Sequence, residues 1–234
     1  AIFGLHVTSC LPAGTVGFCR GAAMASADNF TIKIKGRTSH GASPHLGADS
    51  VVAAAQAVLA LQSIVSRRLD PMQPAVLTIG TIHGGEKENI VAGQVTMTGT
   101  TRALHAVVRD QLETGMRQVL AGVAAASGTE IELDYLRGYP PLINYAGLIE
   151  LFRRVAGEVL GPEKVLELAG PSMGAEDFAR YAEKVPAVYF NLGAAIPGEE
   201  PRPWHHPQFN INEDCLPVGA ALLAALAVNT LADF

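Results

Sequence analysis

The sequence predicts an α/β protein whose main layer is interrupted by an inserted ferredoxin-like domain. Three observations carry this. The pattern across residues 28–138 runs β-α-β-β-α-β, the split βαβ arrangement. A turn-rich exit, Gly138-Tyr139-Pro140-Pro141, closes that stretch. Apolar strand-like runs at residues 1–7 and 187–192 flank it, with helical patterns beside the second. Residues 1–27 and 139–234 are therefore expected to form one α/β layer, with residues 28–138 inserted into it.

Each element has a local cause. Residues 29–35 alternate, with Phe30, Ile32 and Ile34 facing one way and Thr31, Lys33 and Lys35 the other, which is the period of a half-buried strand. Residues 36–47 are rich in Gly, Ser and Pro and read as a loop. Asp49-Ser50 can cap a helix reaching about Arg68, with Val51, Ala54, Ala55, Val58, Leu59 and Ile64 as its apolar face. Strands follow at residues 76–82 and 91–102, separated by a Gly-Gly turn. A second helix over residues 105–126 places Val108, Leu112, Met116, Leu120 and Val123 at helical spacing, and Ser127-Gly128 ends it. Residues 130–136 alternate again, with Ile131, Leu133 and Tyr135 inward. A helix over 147–160, the strand at 187–192, a Pro-rich loop over 197–207 and a closing helix complete the layer.

Composition narrows the function classes. With 49% hydrophobic and 17% charged residues, the 234-residue chain has material for a sizeable core. A net charge of -5 and no basic block argue against a nucleic-acid partner. Cys10, Cys19 and Cys215 form no Cys-x-x-Cys and are odd in number, so the reading is a reducing, cytoplasmic setting. No signal-peptide pattern opens the chain, and the strand-like start at Ala1 reads as a cut end. Residues 216–231 fall short of the roughly 20 a membrane span needs and contain Asn229, so a buried closing helix and no membrane partner are expected.

Several residues invite chemistry, though each has an ordinary alternative. His6 ends an apolar run, where a ring nitrogen can meet a metal above a sheet; a histidine satisfied by a backbone carbonyl is as compatible. In Trp204-His205-His206-Pro207 the two neighbouring rings diverge, so at most one serves as a ligand. His40, in a Gly- and Ser-rich turn, could donate to an oxyanion or be a plain loop histidine. Glu176 and Asp177 precede a helix start, where the helix dipole alone favours acids. His45, His83 and His105 read as surface or capping residues.

Their order raises all of them together. Gly4-Leu5-His6-Val7, Ser39-His40-Gly41-Ala42-Ser43-Pro44, Gly84-Gly85 with Asn89, Arg102, Ala175-Glu176-Asp177-Phe178, Leu192-Gly193 and His205-His206-Pro207-Gln208-Phe209 occur in series over essentially the whole chain. This series resembles the aminoacylase-like dimetal metallopeptidase and amidohydrolase family, in particular its hippurate hydrolase and auxin-conjugate amidohydrolase branch.

The resemblance implies an α/β metallopeptidase-type catalytic domain holding two divalent metal ions, zinc or manganese, under an inserted lid that mediates homodimerisation. It implies His6 and His205 as metal ligands and His40 as a catalytic lid residue that steadies the oxyanion. Asn89, Arg102 and Glu176 become substrate-binding positions, Glu176 through a motif beside the site. An arginine suits a substrate carboxylate because its fork binds bidentately. The implied reaction cleaves an N-acyl or N-aroyl amino acid by a metal-bound hydroxide. The family's Cys-x-His and Glu-Glu pairs lie upstream of Gly4-Leu5-His6-Val7, whereas five residues precede His6 here. The chain alone is therefore expected to be an inactive fragment, with the possibility that it binds no metal. A non-catalytic lid or ligand-binding protein and a dipeptidase of the same family are the alternatives.

Overall fold

The computed structural model describes residues 1–233. In chain order the strands and helices are β1 (Ile2–Pro12), β2 (Val16–Phe18), β3 (Ala22–Met24), β4 (Ala27–Lys35), β5 (Ser39–His40), α1 (Ser50–Ser63), β6 (Ala75–Gly84), β7 (Ile90–Val91), β8 (Gln94–Ala103), α2 (Ala106–Ser127), β9 (Glu130–Tyr139), β10 (Leu142–Ile143), α3 (Ala146–Leu160), β11 (Val165–Glu167), α4 (Ala179–Ala182), β12 (Ala187–Ala195) and α5 (Cys215–Asp233). They form two units. One comprises Ala1–Met24, Leu142–Ser172 and Glu176–Phe234; the other comprises Ala25–Pro141 with Met173–Ala175.

The second unit is a four-stranded sheet of order β6-β8-β4-β9, antiparallel throughout, with α1 and α2 packed against it. Alternation along β4 puts Phe30, Ile32 and Ile34 into the core at 2% exposure or less. They meet Met97 from β8 and Leu112 and Met116 from α2. Asp49 caps α1, its carboxylate accepting from the Val51 and Val52 amides at 2.9 and 3.2 Å. Gly128 ends α2 at φ 66°, the left-handed value that glycine reaches without strain.

Two sequence expectations for this unit need correction. The buried face of α1 is Ala53, Ala54, Ala57 and Leu61, while Val51 and Leu59 point outward. Almost every position of that helix is apolar, so periodicity cannot choose a face, and the small alanines win because they let the helix approach closely. The stretch read as a loop at 36–47 contains β5, paired with β7, and a 3₁₀ turn at Pro44–Leu46. The helix does run on to Arg68, through a π-helical turn at Ile64–Arg68.

The first unit is a sheet of order β1-β12-β2-β11. β1 and β12 are parallel, β12 and β2 antiparallel, and β2 and β11 parallel. β12 decides the layering. Val188, Phe190, Leu192 and Ala194 face α3 and α5 and join Phe18, Phe152, Leu222 and Leu226 in one core. Tyr189 faces the other way, into a cluster with Met24, Leu142, Phe178 and Trp204. Asn144 braces this face, its side chain donating to the Cys19 and Tyr189 carbonyls and accepting from the Tyr189 amide at 2.7 Å.

The closing helix also departs from expectation. α5 extends over 19 residues and buries one side only: Cys215, Leu222 and Leu226 are covered, whereas Leu216, Val228 and Leu231 are exposed. Ser50–Arg68 and Cys215–Ala232 are each long and apolar enough to cross a membrane by length and composition. Both place an apolar side in the cores just described. Residues 209–211 are irregular.

Candidate functional site

In the first unit the site begins with β1. His6 lies within this strand, not at its end, because pairing with β12 continues past it through Val7–Leu192 and Thr8–Gly193. Phe3, Leu5 and Val7 pack on the helix-covered core. Alternation therefore leaves Gly4 and His6 on the opposite face. His6 sits beside Asn191, its register partner on β12. The loop around His205 comes to the same place through Trp204, whose ring centroid lies 4.9 Å from that of His6.

One backbone atom organises this cluster. The Val7 carbonyl accepts from His6 Nδ1 at 2.8 Å and from Trp204 Nε1 at 2.7 Å. A carbonyl cannot donate, so the His6 proton is on Nδ1 and the lone pair is on Nε2, the form a metal requires. Ser9 adds a second tether, its hydroxyl donating to the Arg202 carbonyl at 2.5 Å. His205 follows Trp204 directly, exposed, at φ 67°. Among the described residues it is the single non-glycine with positive φ. Such strain in a bulky residue persists where surrounding contacts impose it, and clusters at functional positions.

Glu176 belongs to the same face. Its carboxylate accepts from the Tyr189 hydroxyl at 3.2 Å and from the Phe178 amide at 3.5 Å. Burial, then the neighbouring Glu176 charge, pushes the Tyr189 phenol well above its ordinary value, so it stays a donor.

Among the described residues no three or more His, Cys, Asp or Glu side chains gather as a metal cradle. The donor chemistry of His6 suits a divalent ion of the zinc type. The number of donors falls short of the four a zinc site uses.

The remaining sequence candidates belong to the second unit. His40 and Asn89 are brought together, with His40 opposite Ile90 and the Gly41 amide donating to the Asn89 carbonyl at 2.7 Å. His40 Nδ1 accepts from the Ala42 amide at 3.0 Å, so its proton is on Nε2 and the exposed ring is a donor there. Arg102 is not part of this group. It lies near the end of β8 opposite Val76, whereas Gly93, beside the start of β8, bonds to Gly36 near β5. The eight residue steps from Gln94 to Arg102 span about 27 Å of strand.

With this geometry in view, residues 1–229 match peptidase family M20/M25/M40. The chain belongs to that family. It is 36% identical over 216 residues to the N-acetyl-L-cysteine deacetylase of Bacillus subtilis, covering 92% of this chain and 50% of that protein. It is 34% identical over 238 residues to IAA-amino acid hydrolase ILR1-like 4 of Arabidopsis thaliana, covering 100% and 54%. The crystal structure of the Bacillus subtilis YXEP protein, described as a dinuclear metal binding peptidase from the M20 family, superposes with a TM-score of 0.78 at 32% identity. That match covers 100% of this chain and 58% of that one. The chain thus spans about half to three-fifths the length of the proteins it matches.

Sequence reasoning passed over Asn191, Tyr189, Trp204 and the Val7 carbonyl. Two of these left a signal. Asn191 is the polar interruption of the apolar run at 187–195, and Trp204 is the sole tryptophan of the chain. The Val7 carbonyl left none, since every residue carries one.

Proposed function

We propose that this chain is part of a metal-dependent amidohydrolase that cleaves the amide bond of N-acyl or N-aroyl amino acids. In this reading His6 and His205 are metal ligands, His40 steadies the oxyanion, Asn89 and Arg102 hold the substrate and its carboxylate, and Glu176 braces the site. The observation that carries it is the fixed His6 ring, its Nδ1 committed to Val7 and its Nε2 lone pair available next to the strained Trp204-His205 corner. The relatives named for deacetylation and for amino-acid conjugate hydrolysis support the substrate class. A divalent ion, zinc or manganese, would supply Lewis acidity to the amide carbonyl and acidify water.

The lid geometry supports a homodimer. A strand's length of about 27 Å separates Arg102 from the His40 end of the same sheet. If Asn89 and Arg102 hold one small substrate, they come from two copies of this unit, since a single copy keeps them apart. The donor shortfall favours the chain by itself being inactive towards N-acyl amino acids and dipeptides alike.

The test is zinc titration of the chain, followed by the imidazole resonances and by elemental analysis after dialysis. His6 and His205 are expected to respond together, with zinc weak enough to dialyse away and no response in His6→Ala. If the two rings respond independently or not at all, the ligand assignment falls. Turnover of N-acetyl or N-benzoyl amino acids that survives repurification would overturn the inactive reading.

A further inference from the structure

On the His6 side of the first sheet, Trp204 walls a cavity of about 180 Å³. Met24, Leu168 and Tyr189 line it too, and with Trp204 they belong to one apolar cluster. Leu168 lies over the floor: its side chain covers Gly17, where a Cβ would come within 2.8 Å of Leu168 Cδ2. Gly170, Pro171 and Ser172 form an exposed rim, so the cavity opens to solvent on that side. Three donors around it are spent within the protein. The Cys19 thiol donates to the Gly170 carbonyl, the Tyr189 hydroxyl to Glu176, and the Trp204 indole to Val7. An occupant is therefore held chiefly by shape and apolar contact, and volume decides what fits. An apolar cavity of about 150 Å³ takes benzene. This one is slightly larger, with room for a single ring and a small substituent but not for a second fused ring.

We propose that this cavity is a binding pocket for one six-membered ring, or an apolar group of that size, and that it selects by volume. Its place gives it a role. The Trp204 ring that walls it also packs on His6, with 4.9 Å between centroids, and His205 is the next residue along the chain. A ring seated there lies beside the two proposed metal ligands. The pocket therefore takes the acyl part of the substrate and favours a benzoyl-sized group over a fused bicyclic one. That role rests on the amidohydrolase reading; the pocket and its size limit do not.

The test is NMR titration of the metal-free chain with toluene and with indene, its fused bicyclic counterpart. Neither probe carries a hydrogen-bond donor, so the comparison reads size alone. On an open apolar surface indene would bind tighter, because it buries more area. In a cavity of this volume it overpacks, and toluene is expected to bind at least about fivefold tighter. Shifts should centre on the Trp204 indole and the Leu168 methyls. Leu168→Ala enlarges the space and should bring indene level with toluene or ahead of it. Indene matching or exceeding toluene on the wild-type chain would overturn the proposal, as would shifts centred elsewhere or no binding of either probe at millimolar concentration. If Leu168→Ala does not fold, the wild-type ranking and the site of the shifts still decide. Failure of the size preference would leave the zinc response of His6 and His205 untouched, and the converse also holds, so the two readings fail separately.

Discussion

Asp28 is fully buried in the second unit, and its carboxylate accepts four hydrogen bonds. Arg109 Nη2 and Nε approach at 2.6 and 2.9 Å, the Tyr135 hydroxyl at 2.9 Å and the Gly138 amide at 2.9 Å. Arg109, 8% exposed, also donates to the Gly138 carbonyl. Asp28→Asn keeps the shape but leaves one oxygen where two accepted, and turns an amide N–H₂ towards existing donors. It also leaves the Arg109 charge buried without its counter-charge. Removing one partner of a buried, hydrogen-bonded pair costs about 3–5 kcal/mol. Urea unfolding, followed through amide exchange at Ile32 and Met97 in the core of that unit, measures it. A loss below about 1 kcal/mol would refute the reasoning, since that is the range of an exposed pair. The double variant Asp28→Leu/Arg109→Met removes both charges and should cost less than Asp28→Asn, because an apolar pair of similar volume has no charge to strand.

Alkali should act through two phenols. Burial pushes Tyr135 above its ordinary 10.0, with the Thr101 hydroxyl opposing and the Asp28 carboxylate reinforcing; burial and then Glu176 do the same for Tyr189. A raised folded value means the fold prefers the neutral phenol. The stability contribution is therefore whole below the unfolded value of 10.0 and drains as pH climbs past it. In a tyrosinate absorbance titration, two of the five tyrosines should ionise only with unfolding; all five ionising on an intact fold would contradict this. Gly4→Ala should destabilise by about 1–3 kcal/mol through overpacking, because a Cβ would lie 2.7 Å from the Phe178 ring. Gly122→Ala, in α2 with open space around it, should instead stabilise by about 0.5–1 kcal/mol. Thermal melts of the pair check both, and equal shifts would undo the packing account.

How much of this was legible depended on the contrast between neighbouring residues. β4 and α2 were readable because polar and apolar positions alternate cleanly, as in Phe30-Thr31-Ile32-Lys33. α1 was readable as a helix but not as a face, because Val51, Ala54 and Leu59 carry no contrast with their neighbours. The closing helix suffered the same way: uniform apolarity suggested full burial where one side is covered. His6 was found by its motif, yet its place within β1 depends on pairing with residues 187–195, about 180 positions away and invisible to a local pattern. The approach of His40 to Asn89 is likewise a product of the short antiparallel pairing of β5 with β7, which closes across about fifty residues.

The shared Val7 carbonyl has a practical consequence for mutagenesis. The atom that sets the His6 tautomer and anchors Trp204 belongs to the main chain, so no side-chain substitution at position 7 deletes it. An alanine scan would record Val7 as a packing residue and pass over its polar role. Weakening that acceptor takes a change in the backbone itself, such as replacing the Val7–Thr8 amide by an ester. Such a replacement is expected to loosen the histidine and the tryptophan in one stroke while leaving every side chain in the molecule as it was.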